Sequence, residues 1–123
     1  MDFQNKKAIY LQIADYVCEQ ILLKKWQEKS KVPSVRELAV NLEVNPNTVM
    51  RTYAYLEEKE IIATQRGIGY FVTDDAYANV LALKKLEFLA TDLPQIFHAM
   101  DLLNIKFDSI KQLYNERIKH EEE

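Results

Sequence analysis

Only two glycines occur in the 123-residue chain, Gly67 and Gly69, and both fall in Gln65-Arg66-Gly67-Ile68-Gly69, between two short apolar, β-rich stretches. That placement marks one tight hairpin, joining Ile61-Ile62-Ala63-Thr64 to Tyr70-Phe71-Val72-Thr73. Taken alone, Arg66-Gly67 fits both a structural turn with a solvated arginine and a tip that touches DNA. The elements before it decide between the two.

From Ala8 to Trp26, apolar residues recur at Ile9, Ile13, Val17 and Ile21, which lines one face of a first helix. The polar stretch Gln27-Glu28-Lys29-Ser30-Lys31-Val32-Pro33 ends at a proline and reads as a loop. Ser34 then stands to cap a second helix from about Val35 to Leu42, with Glu37 completing a capping box. Asn45 and Pro46 suit the cap and first position of a third helix, whose buried face is Val49, Tyr53 and Leu56. With Leu38, Ala39, Leu42 and Val44, these residues describe two short helices meeting across a brief turn, the helix-turn-helix pattern. Helix, helix, helix, hairpin is the winged-helix order.

After Asp74-Asp75 the pattern is helical again, through Val80, Leu81, Leu83, Leu86 and Leu89 to Met100, Leu102 and Leu103. Pro94 interrupts it, and the pattern fits one kinked helix or two. A last helix from about Phe107 to Lys119 runs into Glu121-Glu122-Glu123, an end expected to fray. The expected fold is therefore mainly α with a small β-hairpin: a winged helix-turn-helix over residues 1–73 and a short helical dimerisation extension over residues 74–123. The extension is too apolar to stand free and too short for a core of its own, so it needs a surface to cover. The winged helix itself is one answer; a two-fold partner is the preferred one, because helix-turn-helix proteins commonly pair to read two half-sites.

A net charge of −3 argues at first against a nucleic-acid partner. Its distribution removes the objection. Through residue 73 ten basic residues face nine acidic ones, whereas six face ten after it, so the acidity sits in the extension. The cluster Lys24, Lys25, Lys29, Lys31 and Arg36 leaves phosphate binding open. A single cysteine, Cys18, excludes an intramolecular disulfide and a Cys-rich zinc site. His98 and His120 are far apart without a flanking motif, and no nucleophile–base pattern or phosphate-cradling glycine loop occurs, so neither an enzyme nor a cofactor is expected. The aromatic residues Tyr10, Tyr16, Trp26, Phe88, Phe97 and Phe107 read as core or dimer interface. The start Met1-Asp2-Phe3-Gln4-Asn5-Lys6-Lys7 lacks the apolar core of a signal peptide, and no run approaches a membrane span, so a cytoplasmic protein with no membrane partner is expected.

Four ordered motifs, Pro33-Ser34-Val35-Arg36-Glu37-Leu38-Ala39, Val44-Asn45-Pro46-Asn47-Thr48-Val49, Leu56-Glu57-Glu58-Lys59 and Arg66-Gly67-Ile68-Gly69-Tyr70-Phe71-Val72, resemble the DNA-binding domain of the GntR family of bacterial transcription regulators. Ile9-Tyr10-Leu11-Gln12-Ile13 resembles the start of that domain's first helix, so the resemblance covers roughly residues 8–73. The short helical extension is similar to that of the YtrA-like subgroup, whose members are homodimers often associated with control of transporter genes. The resemblance implies a homodimeric regulator, by the family's habit a repressor, binding a two-fold symmetric operator in double-stranded DNA. A winged-helix module for protein association and a sensor holding a small effector at the dimer interface are the alternatives.

With the third helix in the major groove, Asn45, Asn47, Thr48 and Arg51 are placed to reach bases or phosphates; the competing account makes Asn45 a cap and Thr48 a helix stabiliser, and the roles can coexist. Ser34 and Arg36, at the start of the second helix, complete the expected contacts there, with a local ion pair to Glu37 or another acid as the competing role for Arg36. Arg66 and Gly67 are expected beside the minor groove. Met50 stands where other members often carry a basic residue. The family often has glycine in the loop before Pro33, near Glu43 and at Glu60; here Lys25, Ser30, Glu43 and Glu60 need another backbone solution.

Overall fold

The computed structural model describes residues 7–122. Residues 1–6, most of the segment read for a targeting signal, and Glu123, the end of the acidic tail, lie outside the described residues. The elements are α1 (Ile9–Leu22), α2 (Val35–Leu42), α3 (Pro46–Glu58), β1 (Ile62–Gln65), β2 (Gly69–Val72), α4 (Ala76–Glu87), a π-helical turn (Phe88–Asp92), α5 (Leu93–Leu103) and α6 (Phe107–Glu122). This is an N-terminal winged helix-turn-helix followed by helices, and it divides into two compact units, one ending at Lys85 and one starting at Leu86.

In the first unit, the apolar face of α1 (Ile13, Ala14, Val17, Cys18, Ile21) closes a core with Leu38 and Ala39 of α2 and Val49, Tyr53 and Leu56 of α3. Ile61, Ile62 and Val72 cover it from the hairpin. Ala76 and Val80 are fully buried in the same core, so the first turns of α4 belong to the winged helix. Asp15 of α1 pairs with Lys7 and with Lys84 of α4.

Helix α1 stops at Leu22, short of the Trp26 that its apolar spacing reaches, because Lys24 turns left-handed (φ 61°) and the Lys25 N–H donates back to the Gln20 carbonyl at 2.9 Å. Three other helices close the same way. Left-handed Glu43 (φ 56°), Glu60 (φ 59°) and Asn104 (φ 55°) let Val44, Ile61 and Ile105 donate to the carbonyls of Ala39, Leu56 and Met100, at 3.0, 2.9 and 2.9 Å. This is the Schellman closure, usually made with glycine. It satisfies carbonyls that would otherwise be orphaned at the helix end. At α3 it also brings together Ile61 and Leu56, both fully buried. Glu43 and Glu60 thus take the glycine-like conformation expected of them; in the α1–α2 loop it falls on Lys24 and Lys29 (φ 69°), each one residue before Lys25 and Ser30.

Strands β1 and β2 pair antiparallel from Ile62↔Val72 to Gln65↔Gly69. The α1–α2 loop covers the far edge of β2: Lys29 and Val32 donate to the carbonyls of Val72 and Tyr70, and Val72 donates to Ser30, each at 2.9 Å, around a Lys31↔Phe71 bridge. Alternation along this added segment buries Val32 and leaves Lys31 outside.

In the second unit, Glu87 and Leu93 at the ends of the π turn both have right-handed helical dihedrals, so helical backbone runs through to Pro94 without a coil break. Pro94 has no N–H and its ring crowds the preceding turn; the wider i→i+5 turn, with Leu93 N–H donating to Phe88, absorbs both effects. No side chain of this unit is buried among the described residues, and Leu86, Leu89, Leu102, Leu103, Phe107 and Leu113 are all exposed. No helix among the described residues is long and apolar enough to cross a membrane.

Candidate nucleic-acid interface

The start of α2 is fixed by a complete capping box: Glu37 N–H donates to Ser34 Oγ at 3.1 Å and Ser34 N–H to Glu37 Oε1 at 3.3 Å. The Glu37 carboxylate is engaged by the cap, and the neighbouring Arg36 is exposed with no ion pair among the described residues. The competing role for Arg36, a local pair with Glu37, is therefore not the arrangement found.

At the start of α3, Asn45 Oδ1 accepts from the Asn47 N–H at 2.8 Å and Pro46 occupies the first turn. The helix turns Val49, Thr52, Tyr53 and Leu56 inward. Asn47, Met50 and Arg51 are left exposed and Thr48 is half-buried. The Thr52 hydroxyl lies 2.7 Å from the Tyr10 carbonyl and 3.1 Å from that of Thr48, and so ties α3 to the start of α1. Arg51 sets its guanidinium over the Tyr10 ring, 3.9 Å from the centroid. Tyr10, grouped by its sequence context with core and interface aromatics, is half-buried on the flank of α3.

Tyr53 locks the site together. Its buried phenol donates to the Pro33 carbonyl at 2.7 Å, just ahead of α2, and its ring meets Tyr70 of β2 edge-on at 4.8 Å. Burial pushes its pKa well above the usual phenol value of 10.0, with Tyr70 and then Glu37 adding to the shift.

At the hairpin tip, Ile68 N–H donates to the Gln65 carbonyl at 3.0 Å, and Gly67 has φ 79°, the third-position geometry of a type II turn. A Cβ on Gly67 would meet nothing within 4 Å in the protein, so glycine is needed there for backbone conformation rather than space. Arg66 is exposed on this tip. A Cβ on Gly69 would lie 3.5 Å from Lys31 Cε, which puts a second cation against the wing. In the sequence Lys31 reads as one charge of a basic cluster in a polar loop, not as part of the wing; the available signal was its alternation with apolar Val32.

The expected contact residues thus fall on three connected pieces of one unit: Ser34 and Arg36 on the start of α2, Asn45, Asn47, Thr48 and Arg51 on α3, and Arg66 and Gly67 on the wing. Residues 9–72, from the start of α1 to the end of β2, match the profile of the bacterial regulatory proteins of the gntR family. The chain is 46% identical over 74 residues to YhcF of Bacillus subtilis, an uncharacterized HTH-type transcriptional regulator; the match covers 60% of this chain and 61% of that protein. It is 30% identical over 116 residues to the HTH-type transcriptional repressor YtrA of the same organism, covering 94% of this chain and 88% of YtrA. A solved structure of a putative GntR-family regulator from Bacteroides thetaiotaomicron is similar with a TM-score of 0.77 at 43% identity, over 93% of this chain and 99% of that one. With α1 to β2 matched to the family profile and almost the whole length paralleled by a short repressor, the chain belongs to the GntR family as a YtrA-like DNA-binding transcription regulator, not an enzyme.

Proposed function

We propose that the protein acts in the cytoplasm as a homodimeric repressor that binds a two-fold symmetric operator in double-stranded DNA and blocks polymerase access. The observation that carries the reading is the pair Arg36 and Arg66, exposed at the start of α2 and on the wing without an ion pair among the described residues. Guanidinium groups kept out of internal pairs are suited to phosphate or guanine. On this reading Asn47, Thr48 and Arg51 reach base edges from α3, Asn45 and Ser34 combine capping with backbone contact, and Gly67 lets the wing lie close to the minor groove. The wing holds DNA but reads little of it, so sequence choice rests with α3 and Arg36.

Dimerisation is assigned to the extension beyond residue 73, where most of the large apolar side chains after Lys85 are exposed in the single chain. Repression is supported by the similarity to the repressor YtrA, and transporter genes are the targets that the resemblance to the YtrA-like subgroup implies. Binding to duplexes enriched on the wild-type protein from random-sequence DNA, measured against salt, tests the reading. Affinity should fall steeply with salt, each lost phosphate contact lowering the slope by about 0.9, and Arg36→Ala and Arg66→Ala should each weaken it. Salt-insensitive binding unchanged in both variants would favour a protein-association module instead.

A further inference from the structure

We infer that Tyr10 is a positioning residue for DNA recognition: it holds the Arg51 guanidinium ready, so that α1 takes part in reading DNA without touching it. The inference rests on the proposed role of Arg51 as a DNA contact. It starts from the stack itself, Arg51 Cζ 3.9 Å from the centre of the Tyr10 ring. A guanidinium lying over a ring gives up its flat face, while its N–H donors radiate in its own plane. Arg51 has no ion pair or hydrogen bond from those donors among the described residues. The face is therefore engaged and the fork is left for a phosphate or a guanine edge. An arginine projecting freely from a helix loses rotamer freedom when it binds, and a platform removes much of that loss beforehand.

The platform is itself fixed, and α3 fixes it. The Tyr10 carbonyl accepts the Thr52 hydroxyl at 2.7 Å, and the Tyr10 ring meets Tyr55 edge-on at 6.4 Å and 79°. Thr52 is the residue after Arg51, and Tyr55 lies one turn further along the same face. Lys59, one more turn on, sets its ammonium 5.8 Å from the Tyr55 ring centre. One stripe of α3 thus carries the arginine and the ring that braces its platform, and the C-cap residue adds a second cation. The Tyr10 ring is not needed to pack α1 on α3, since that contact is already made by buried Ile13, Val17, Val49 and Tyr53.

The test is equilibrium binding of the full chain to a duplex enriched on the wild type from random-sequence DNA, with Tyr10→Phe, Tyr10→Leu, Arg51→Ala and the double variant Tyr10→Leu/Arg51→Ala. Tyr10→Phe keeps the ring and should bind like the wild type. Tyr10→Leu should bind about five- to thirtyfold more weakly, one cation–π contact being lost from each protomer of a dimer. Arg51→Ala should lose at least as much, and Tyr10→Leu should then add nothing to it. Tyr10→Leu binding like the wild type, or weakening the Arg51→Ala background as much as the wild type, would overturn the platform while leaving Arg51 as a contact. Arg51→Ala binding at wild-type affinity would overturn the contact and the platform together. The Arg51 Nε–H resonance of the wild type gives an answer even where Tyr10→Leu does not fold: an upfield ring-current shift, free and on DNA, supports the stack, and a random-coil shift in both states overturns it.

Discussion

A left-handed backbone at a residue bearing a Cβ costs about 1 kcal/mol, and Glu43 (φ 56°) and Glu60 (φ 59°) hold that conformation on exposed turns. Glu43→Gly and Glu60→Gly should each raise stability by up to about 0.5 kcal/mol in urea unfolding, the relief being partly offset by a freer unfolded chain. Gly67→Ala, at φ 79°, should lower it by about 0.5–1 kcal/mol. Glu43 and Glu60 could be picked out in advance because family glycines stand at those places. Lys24 and Lys29, one residue from Lys25 and Ser30, could not be, because the family's loop glycines were placed by sequence alone and no local signal marks where the backbone turns. Met50, 57% exposed on the outward side of α3, offers a gain-of-contact test. Met50→Lys should tighten DNA binding and steepen its salt dependence by about 0.9 per protomer, as expected for one added phosphate contact.

At the scale of elements, the start of α2 depends on its capping box and on Tyr53. Ser34→Ala should cost about 1 kcal/mol of stability. Tyr53→Phe leaves the Pro33 carbonyl without its donor and should cost about 1–2 kcal/mol, also by urea unfolding. The raised Tyr53 pKa sets a sign with pH: above the usual phenol value of 10.0 the unfolded chain releases the proton while the folded one keeps it, so stability falls as pH rises. Between about pH 9 and 11 the wild type should therefore lose stability faster than Tyr53→Phe. Three helices, the capping box and the hairpin were legible because caps, periodicity and glycine mark them locally. The third strand-like segment on the wing was not, since the alternation of Lys31 with Val32 is too short to mark a strand and the segment is held by bonds to residues about forty positions away. Nor did the residues around Pro94 choose between one helix and two, because the π turn that resolves the question has no distinctive composition.

For the whole molecule, the winged helix needs more chain than its motifs span. Ala76 and Val80 are fully buried in its core, so a fragment cut after Thr73 should be less stable than one cut after Lys85 by about 2–3 kcal/mol. By sedimentation the 1–85 fragment should be folded and monomeric and the full chain dimeric; a fragment that still dimerised would place the interface in the winged helix. That the extension must cover something was legible from its leucines, but what covers it is not encoded in one chain's periodicity. The central claim is that α3 and Arg36 read DNA, with the wing holding it, in two symmetry-related copies. Selection of random-sequence duplexes by the full-length protein tests it most directly: the account predicts an inverted repeat whose half-site preference changes in Asn47→Ala, and a pool without an enriched motif, or one that Asn47→Ala leaves unaltered, would contradict it.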